Sequence, residues 1–135
     1  VKRVCPKGHY CPTKGMATPI ECGNSTVFCK ERSIEPTRVL KGFFSVGGTN
    51  TTRDGQKMSP LGHYASDGII KPCREGHYGS VAGLSDDSCM GICDGGWYCP
   101  PASIDNMQIA CGGEDRFCPP GSATPQMVQL GYYTS

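Results

Sequence analysis

Ten cysteines in 135 residues constrain this chain more than any other feature. They recur in order: Cys5, Cys11, Cys22 and Cys29 return as Cys93, Cys99, Cys111 and Cys118, offset by 88, 88, 89 and 89 residues. The register continues past them, with Phe28 matching Phe117, Pro36 matching Pro125, Val39 matching Val128, Gly42 matching Gly131 and Phe43-Phe44 matching Tyr132-Tyr133. One residue inserted between the second and third cysteine accounts for the whole shift. The chain therefore reads as a full cysteine-rich unit, 1–89, with a cysteine-free connector at 30–72, followed by a partial second unit, 90–135. Such a period marks a repeat architecture, and it predicts a piece of a longer array or the subunit of a polymer.

The cysteines matter because little else can hold such a chain together. Val, Ile, Leu and Phe supply only 22 of the 135 residues, below the roughly 20% at which a core becomes weak. Gly and Pro supply 30, about twice their usual share. Burial alone cannot offset the conformational entropy of this composition, so cross-links must. Ten cysteines also point to an oxidising, extracellular compartment and the cell surface. No apolar run approaches the ~18 residues of a membrane span, so no membrane insertion is expected in this segment. Residues 1–10 lack an apolar signal core, which predicts that any leader has been removed. A net charge of +1 provides no drive toward nucleic acid. The expected fold is small and disulfide-rich, with short β-hairpins and irregular loops, little helix, and the repeats set in an elongated rod. Val39 to Val46 and Gly62 to Ile70 are the best strand candidates, and Asp54-Gly55, Asp67-Gly68 and Asp94-Gly95 are turn dipeptides suited to positive φ.

A shorter motif runs inside the long one. Glycine followed by two rings occurs at Gly8-His9-Tyr10, Gly42-Phe43-Phe44, Gly62-His63-Tyr64, Gly76-His77-Tyr78, Gly96-Trp97-Tyr98 and Gly131-Tyr132-Tyr133. Nine of the eleven aromatic residues lie in these triplets, and Phe28 and Phe117 directly precede equivalent cysteines. Each ring is expected to lie over a disulfide, with the glycine allowing an approach that a Cβ would block.

Spacing suggests a pairing. Four pairs, Cys5/Cys11, Cys22/Cys29, Cys93/Cys99 and Cys111/Cys118, share the form cysteine, four or five residues, aromatic, cysteine. A fifth copy lacks both: Met58 to Ala65 aligns with Cys5 to Cys11 once one residue is skipped, so Met58 and Ala65 stand where two cysteines left together. Joint loss favours pairing of neighbours, with Cys73–Cys89 as the remaining bridge. An interlaced pattern, first to third and second to fourth in each group, stays open on sequence alone. Short loops of this kind are each worth about 2 kcal/mol, and the longer one about 3, by the chain-entropy argument.

Chemistry-bearing motifs are sparse. Neither a Cys-x2-Cys nor a His-x3-His pair occurs, and His9, His63 and His77 stand where sister triplets carry Phe, Trp or Tyr, so the position asks for a flat ring, not a zinc ligand. Asp86-Asp87 and Asp94 lack calcium-loop spacing and read as solvated turn carboxylates. No nucleophile elbow, phosphate loop or dinucleotide fingerprint is present, and an even cysteine count leaves no thiol to spare. No cofactor and no catalytic or metal site are expected, and the chain is not read as an enzyme. Two sequons, at Asn24 and Asn50, are candidate N-glycosylation sites, and Thr49, Thr51 and Thr52 could carry O-linked sugar. Charge is uneven: residues 1–45 carry eight basic and three acidic side chains, whereas 90–135 carry one and four. Ends of opposite sign favour head-to-tail contact between copies.

The run from Cys73 to Cys89, together with Gly96-Trp97-Tyr98-Cys99-Pro100 and Phe117-Cys118-Pro119-Pro120-Gly121-Ser122, resembles the ephrin-receptor-like cysteine-rich repeats, which are related in style to tumour-necrosis-factor-receptor modules. The likeness spans nearly the whole chain. It implies a line of small modules whose function lies in display, spacing or contact. That pattern expects cysteine near Met58 and at Ala65, so the middle of the chain departs from it. The resulting expectation is an extracellular structural glycoprotein that contributes to a cell-surface structure or a self-assembling filament. Its partners would be itself, as a head-to-tail homopolymer, or neighbouring repeats of a longer chain, with N-linked and O-linked glycans. The alternative is the stalk or ligand-binding segment of a receptor or adhesin ectodomain.

Overall fold

The computed structural model describes residues 3–15, 17–129 and 131. The Tyr132-Tyr133 part of the repeat lies outside the described residues. No described residue is helical, as expected where Gly or Pro interrupts nearly every stretch. The regular structure consists of short hairpins. β1 (His9–Tyr10) pairs with β2 (Ile20–Glu21), β3 (Val27–Phe28) with β4 (Thr37–Arg38), and β5 (Phe43–Val46) with β6 (Gly55–Met58). β7 (His63–Ser66) pairs with β8 (Ile69–Pro72), β9 (His77–Tyr78) with β10 (Gly91–Ile92), β11 (Trp97–Tyr98) with β12 (Ile109–Ala110), and β13 (Arg116–Phe117) with β14 (Gln126–Met127).

The long repeat is a repeat of register. His9 faces Glu21 and Tyr10 faces Ile20, and at the equivalent positions Trp97 faces Ala110 and Tyr98 faces Ile109. Likewise Val27 faces Arg38 as Arg116 faces Met127, and Phe28 faces Thr37 as Phe117 faces Gln126. The copies are not identical in depth: Phe28 is buried, while Phe117 is exposed.

Beneath that period lies a shorter one. The windows 5–11 (CPKGHYC), 39–45 (VLKGFFS), 59–65 (SPLGHYA), 73–79 (CREGHYG) and 93–99 (CDGGWYC) are built alike. Each has glycine fourth and an aromatic sixth, and each glycine takes a positive φ, between 76° at Gly62 and 88° at Gly96. The windows 22–29 and 111–118 are one residue longer, and there Thr26 and Asp115 take the glycine's place. In all seven, the carbonyl of this residue accepts the N–H that opens the next window: Gly8 from Cys22 at 2.9 Å, Thr26 from Val39 at 2.9 Å, Gly42 from Ser59 at 2.9 Å, Gly62 from Cys73 at 2.8 Å, Gly76 from Cys93 at 3.0 Å, Gly96 from Cys111 at 3.0 Å and Asp115 from Val128 at 2.8 Å. The ring-bearing strand that follows the glycine then pairs with the strand just ahead of that next residue. Each window therefore makes one hairpin, and the cysteine-free connector at 30–72, where a hairpin was expected, holds two of them.

These windows correct the alignment at 58–65. The residue in the first cysteine position is Ser59, fully buried, whereas Met58 is 51% exposed on β6. Ser59 and Ala65 are six residues apart, as are Cys5 and Cys11, and Ala65 is also buried, so no gap is needed. The strand expectations need trimming too. Only Phe43–Val46 of the first candidate is strand, and the second splits into β7 and β8 around Asp67-Gly68. Asp67 and Gly68 have φ of 54° and 75°, the paired left-handed geometry of a tight hairpin turn. Gly55 and Gly95 are not left-handed. Gly55 opens β6, and the turn near Asp94 is made by Gly96 instead.

The chain forms two compact units, Val1–Ser59 with Ala65–Ile70, and Pro60–Tyr64 with Lys71–Ser135. Their buried positions are filled by sulfur and small side chains instead of by aliphatic groups. Among the described residues, Cys29, Cys73, Cys93, Cys99 and Ser59 are the largest fully buried side chains, while sixteen larger apolar ones, among them Ile34, Met58, Ile92 and Met127, are exposed.

Candidate functional site

The cysteines form five disulfides, each between neighbours in the chain: Cys5–Cys11, Cys22–Cys29, Cys73–Cys89, Cys93–Cys99 and Cys111–Cys118. Their Cα atoms are 5.7 to 6.3 Å apart, within the ordinary range. Cys73–Cys89 differs from the rest for a local reason. Its window closes on Gly79 where the others have cysteine, and a Cβ at position 79 would come within 3.0 Å of Cys73 Sγ. Cys73 instead reaches Cys89, whose own φ is 50°. A turn at Asp86 delivers it: the Asp86 carbonyl accepts the Cys89 N–H at 2.9 Å, and its carboxylate accepts the Ser88 N–H at 3.2 Å. That backbone bond, with help from Asp87, lowers the Asp86 pKa below its ordinary 3.8.

The three histidines share one arrangement. Nδ1 of His9, His63 and His77 lies 3.1, 3.1 and 3.2 Å from the carbonyl two residues earlier, on Lys7, Leu61 and Glu75. A carbonyl only accepts, so Nδ1 carries the proton. Arg74 then donates to Nε2 of His77 at 3.3 Å. The rings are half-buried, each the first residue of a strand. Asp94 is tied to Asn106, donating from its N–H to the Asn106 carbonyl and accepting the Asn106 amide at its carboxylate, both at 3.0 Å. Among the described residues, no three of His, Cys, Asp and Glu converge as a metal would require, and no cysteine is free.

Asn24 lies inside the Cys22–Cys29 window and Asn50 at the tip of the β5–β6 hairpin, and both side chains are exposed. The fold brings these two loops together, since the Gly23 N–H donates to the Thr51 carbonyl at 3.1 Å. Arg53, which sequence reasoning passed over, organises this corner together with Ser25 of the first sequon and the Asp67-Gly68 turn. Arg53 donates to the Gly47 carbonyl at 3.1 Å and to Asn50 Oδ1 at 3.3 Å, and Ser25 Oγ donates to the Asp67 carbonyl at 2.9 Å. Gly68 lies so close to the Ser25 carbonyl that a Cβ would collide with it. Only the regular seven-residue windows, read without a gap, would have pointed there.

Charge follows the compact units. The first holds ten basic and five acidic residues, net +5, and the second three and seven, net −4. Lys7, Lys14, Lys30, Arg32, Arg38, Lys41 and Lys57 are exposed in the first, and all seven carboxylates are exposed in the second. The last residue of the strand leading into each window is exposed, and in the second unit it is apolar each time: Pro72, Ile92, Ala110 and Met127.

No family model matches this chain, and neither does any curated protein or solved structure. Five disulfides in so small a chain fit a secreted or extracellular protein. No helix of the described residues is long and apolar enough to cross a membrane.

Proposed function

We propose that this chain is a non-catalytic structural glycoprotein of the cell surface, a cysteine-rich repeat segment that joins other copies of itself head to tail in a filament or coat. The observation that carries this reading is the opposite charge of two compact units made from one kind of module, net +5 and net −4. Unlike charges on exposed side chains steer the basic unit of one copy to the acidic unit of the next, and such a heterologous contact propagates instead of closing. Carbohydrate on Asn24 and Asn50 belongs to the same reading, as does kinship with receptor-type cysteine-rich repeats.

Electron microscopy of purified material, with a mass spectrum of the same sample, tests it. Filaments of regular axial repeat, heavier than 14.4 kDa per subunit, are expected. Their loss near 0.5 M salt, where the screening length falls to a few ångströms, would identify charge as the link. Dispersed monomers at low salt overturn the reading. A second reading, the stalk or ligand-binding segment of a receptor or adhesin, is favoured by the exposed apolar residues Ile92 and Met127 on unpaired strand edges. It predicts a monomer that binds a protein ligand through those edges, with binding lost in Ile92→Lys/Met127→Lys.

A further inference from the structure

The two sequons are alike as text and unlike as chemistry. N-glycosylation needs the Asn amide nitrogen to act as a nucleophile, and an unperturbed amide is a poor one because its lone pair is delocalised into the carbonyl. Removing an Nδ2 proton restores electron density to the nitrogen, and donors placed on Oδ1 ease that step by stabilising the negative charge it leaves on the oxygen. At Asn24 the donors are in place: Oδ1 accepts the N–H of Thr26 at 3.0 Å and also the Thr26 hydroxyl. Asn24 is exposed, and among the described residues nothing engages its Nδ2. The loop is held in this shape from outside, by the Cys22–Cys29 bridge, by Ser25 on Asp67, by Gly23 on Thr51, and by Val39 donating to the Thr26 carbonyl.

At Asn50 the same groups are used otherwise. Among the described residues its Oδ1 takes a single donor, Arg53 at 3.3 Å, longer than the Thr26 N–H bond on Asn24, and none from its own sequon. The sequon hydroxyl, on Thr52, accepts the Thr49 N–H at 2.8 Å and shares a hydrogen bond with the Thr49 hydroxyl at 2.8 Å. It is committed to the wrong neighbour.

Resting on the glycoprotein reading above, we propose that Asn24 is the principal carbohydrate-bearing residue and Asn50 a subordinate one. The donor is a sugar activated by an anomeric phosphate or pyrophosphate. Asn24 Nδ2 attacks the anomeric carbon, the N–C bond forms, and the C–O bond to phosphate breaks. The leaving oxygen keeps the electron pair, and one Nδ2 proton passes to a base of the transferase. Because the Gly23–Thr51 bond sets the two loops side by side, a glycan on Asn24 also crowds the approach to Asn50.

The test is site occupancy on the full chain secreted from a eukaryotic host, read by peptide mass spectrometry after enzymatic glycan release in heavy-oxygen water. Asn24 should be more occupied than Asn50 by about fivefold, the factor that one net hydrogen bond commands. Thr49→Ala, which lies outside both sequons, removes the Thr49 hydroxyl from Thr52 while the Thr49 N–H stays on its oxygen, so the Thr52 O–H can turn to Asn50; it should raise Asn50 occupancy by about the same factor. Asn24→Gln should raise it as well. Equal occupancy, a preference for Asn50, or no response of Asn50 to Thr49→Ala overturns the proposal. The outcome separates from that of the structural reading: filaments without sugar on Asn24 would sink this inference alone, and glycosylated monomers would sink the filament alone.

Discussion

At the scale of single residues, the backbone explains most of what the side chains do. Gly76 has a φ of 79°, and a Cβ there would collide with the Gly121 carbonyl, whereas Gly96, at 88°, has nothing within 4 Å. Gly76→Ala should therefore destabilise by about 3 kcal/mol, from left-handed strain plus the collision, and Gly96→Ala by only about 1. Urea midpoints of the two variants check the contrast. The reverse change applies at Ala102, whose φ is 66° and whose counterpart in the next window is Gly121, at 80°. Ala102→Gly should raise the melting temperature, since relief of about 1–2 kcal/mol of strain exceeds the 0.5–1 lost to a freer unfolded chain. Fully exposed Asp86 gives a pH signature. Its pKa is lowered in the folded state, so its contribution is present above the ordinary 3.8 and is lost as pH falls through the lowered value. Asp86→Ala should flatten the fall in melting temperature below pH 4, by a small margin because solvent screens the group.

At the scale of the element, the unit of construction is the seven-residue window, and its first and last positions accept Cys, Val, Ser, Ala or Gly as long as they fit a small buried space. Ser59 and Ala65 stand six residues apart at the first and last positions, both buried, as a cysteine pair would, so Ser59→Cys/Ala65→Cys should close a sixth disulfide. The expected gain is about 2 kcal/mol, seen as loss of two protons by intact mass and a higher melting temperature. The fold class was legible in the sequence because composition forbids an aliphatic core and cysteine spacing forces short loops. The hairpins were half legible. Val39–Val46 contained β5, but the rest of that stretch does other work, Val39 donating its N–H to the Thr26 carbonyl. The misplacement of Met58 for Ser59 has a plain cause: the alignment of 58–65 with 5–11 skips a residue, whereas the fully buried first position holds the small Ser59, six residues before Ala65, and leaves Met58 exposed. The corner around Asn24 and Asn50 was legible only as two sequons. What distinguishes them is which hydrogen bonds form, Thr26 on Asn24 against Thr49 on Thr52 and Arg53 on Asn50, together with the distant bond from Ser25 to Asp67; residue identity alone does not choose among these.

At the scale of the whole molecule, the two units differ in sign, and that difference can be removed without touching the fold. Lys30→Glu/Arg32→Glu/Lys41→Glu changes three exposed positions by two charges each and takes the first unit from +5 to −1. Self-association measured by light scattering at low salt should be lost, while the melting temperature moves little, since each exposed charge carries less than about 1 kcal/mol. On the proposed reading, the residues that would link copies are thus separate from those that stabilise the fold. The neighbour-to-neighbour closure of the disulfides has a mechanical consequence as well. Each bridge ties up only six, seven or sixteen residues of contour, and none joins one window to another. A chain pulled from its ends would release its hairpins by breaking hydrogen bonds alone, each sulfur bridge limiting how far its own loop pays out. Pulled in this way, the chain would lengthen in small steps, and its covalent backbone would take the strain only after the last hairpin had opened.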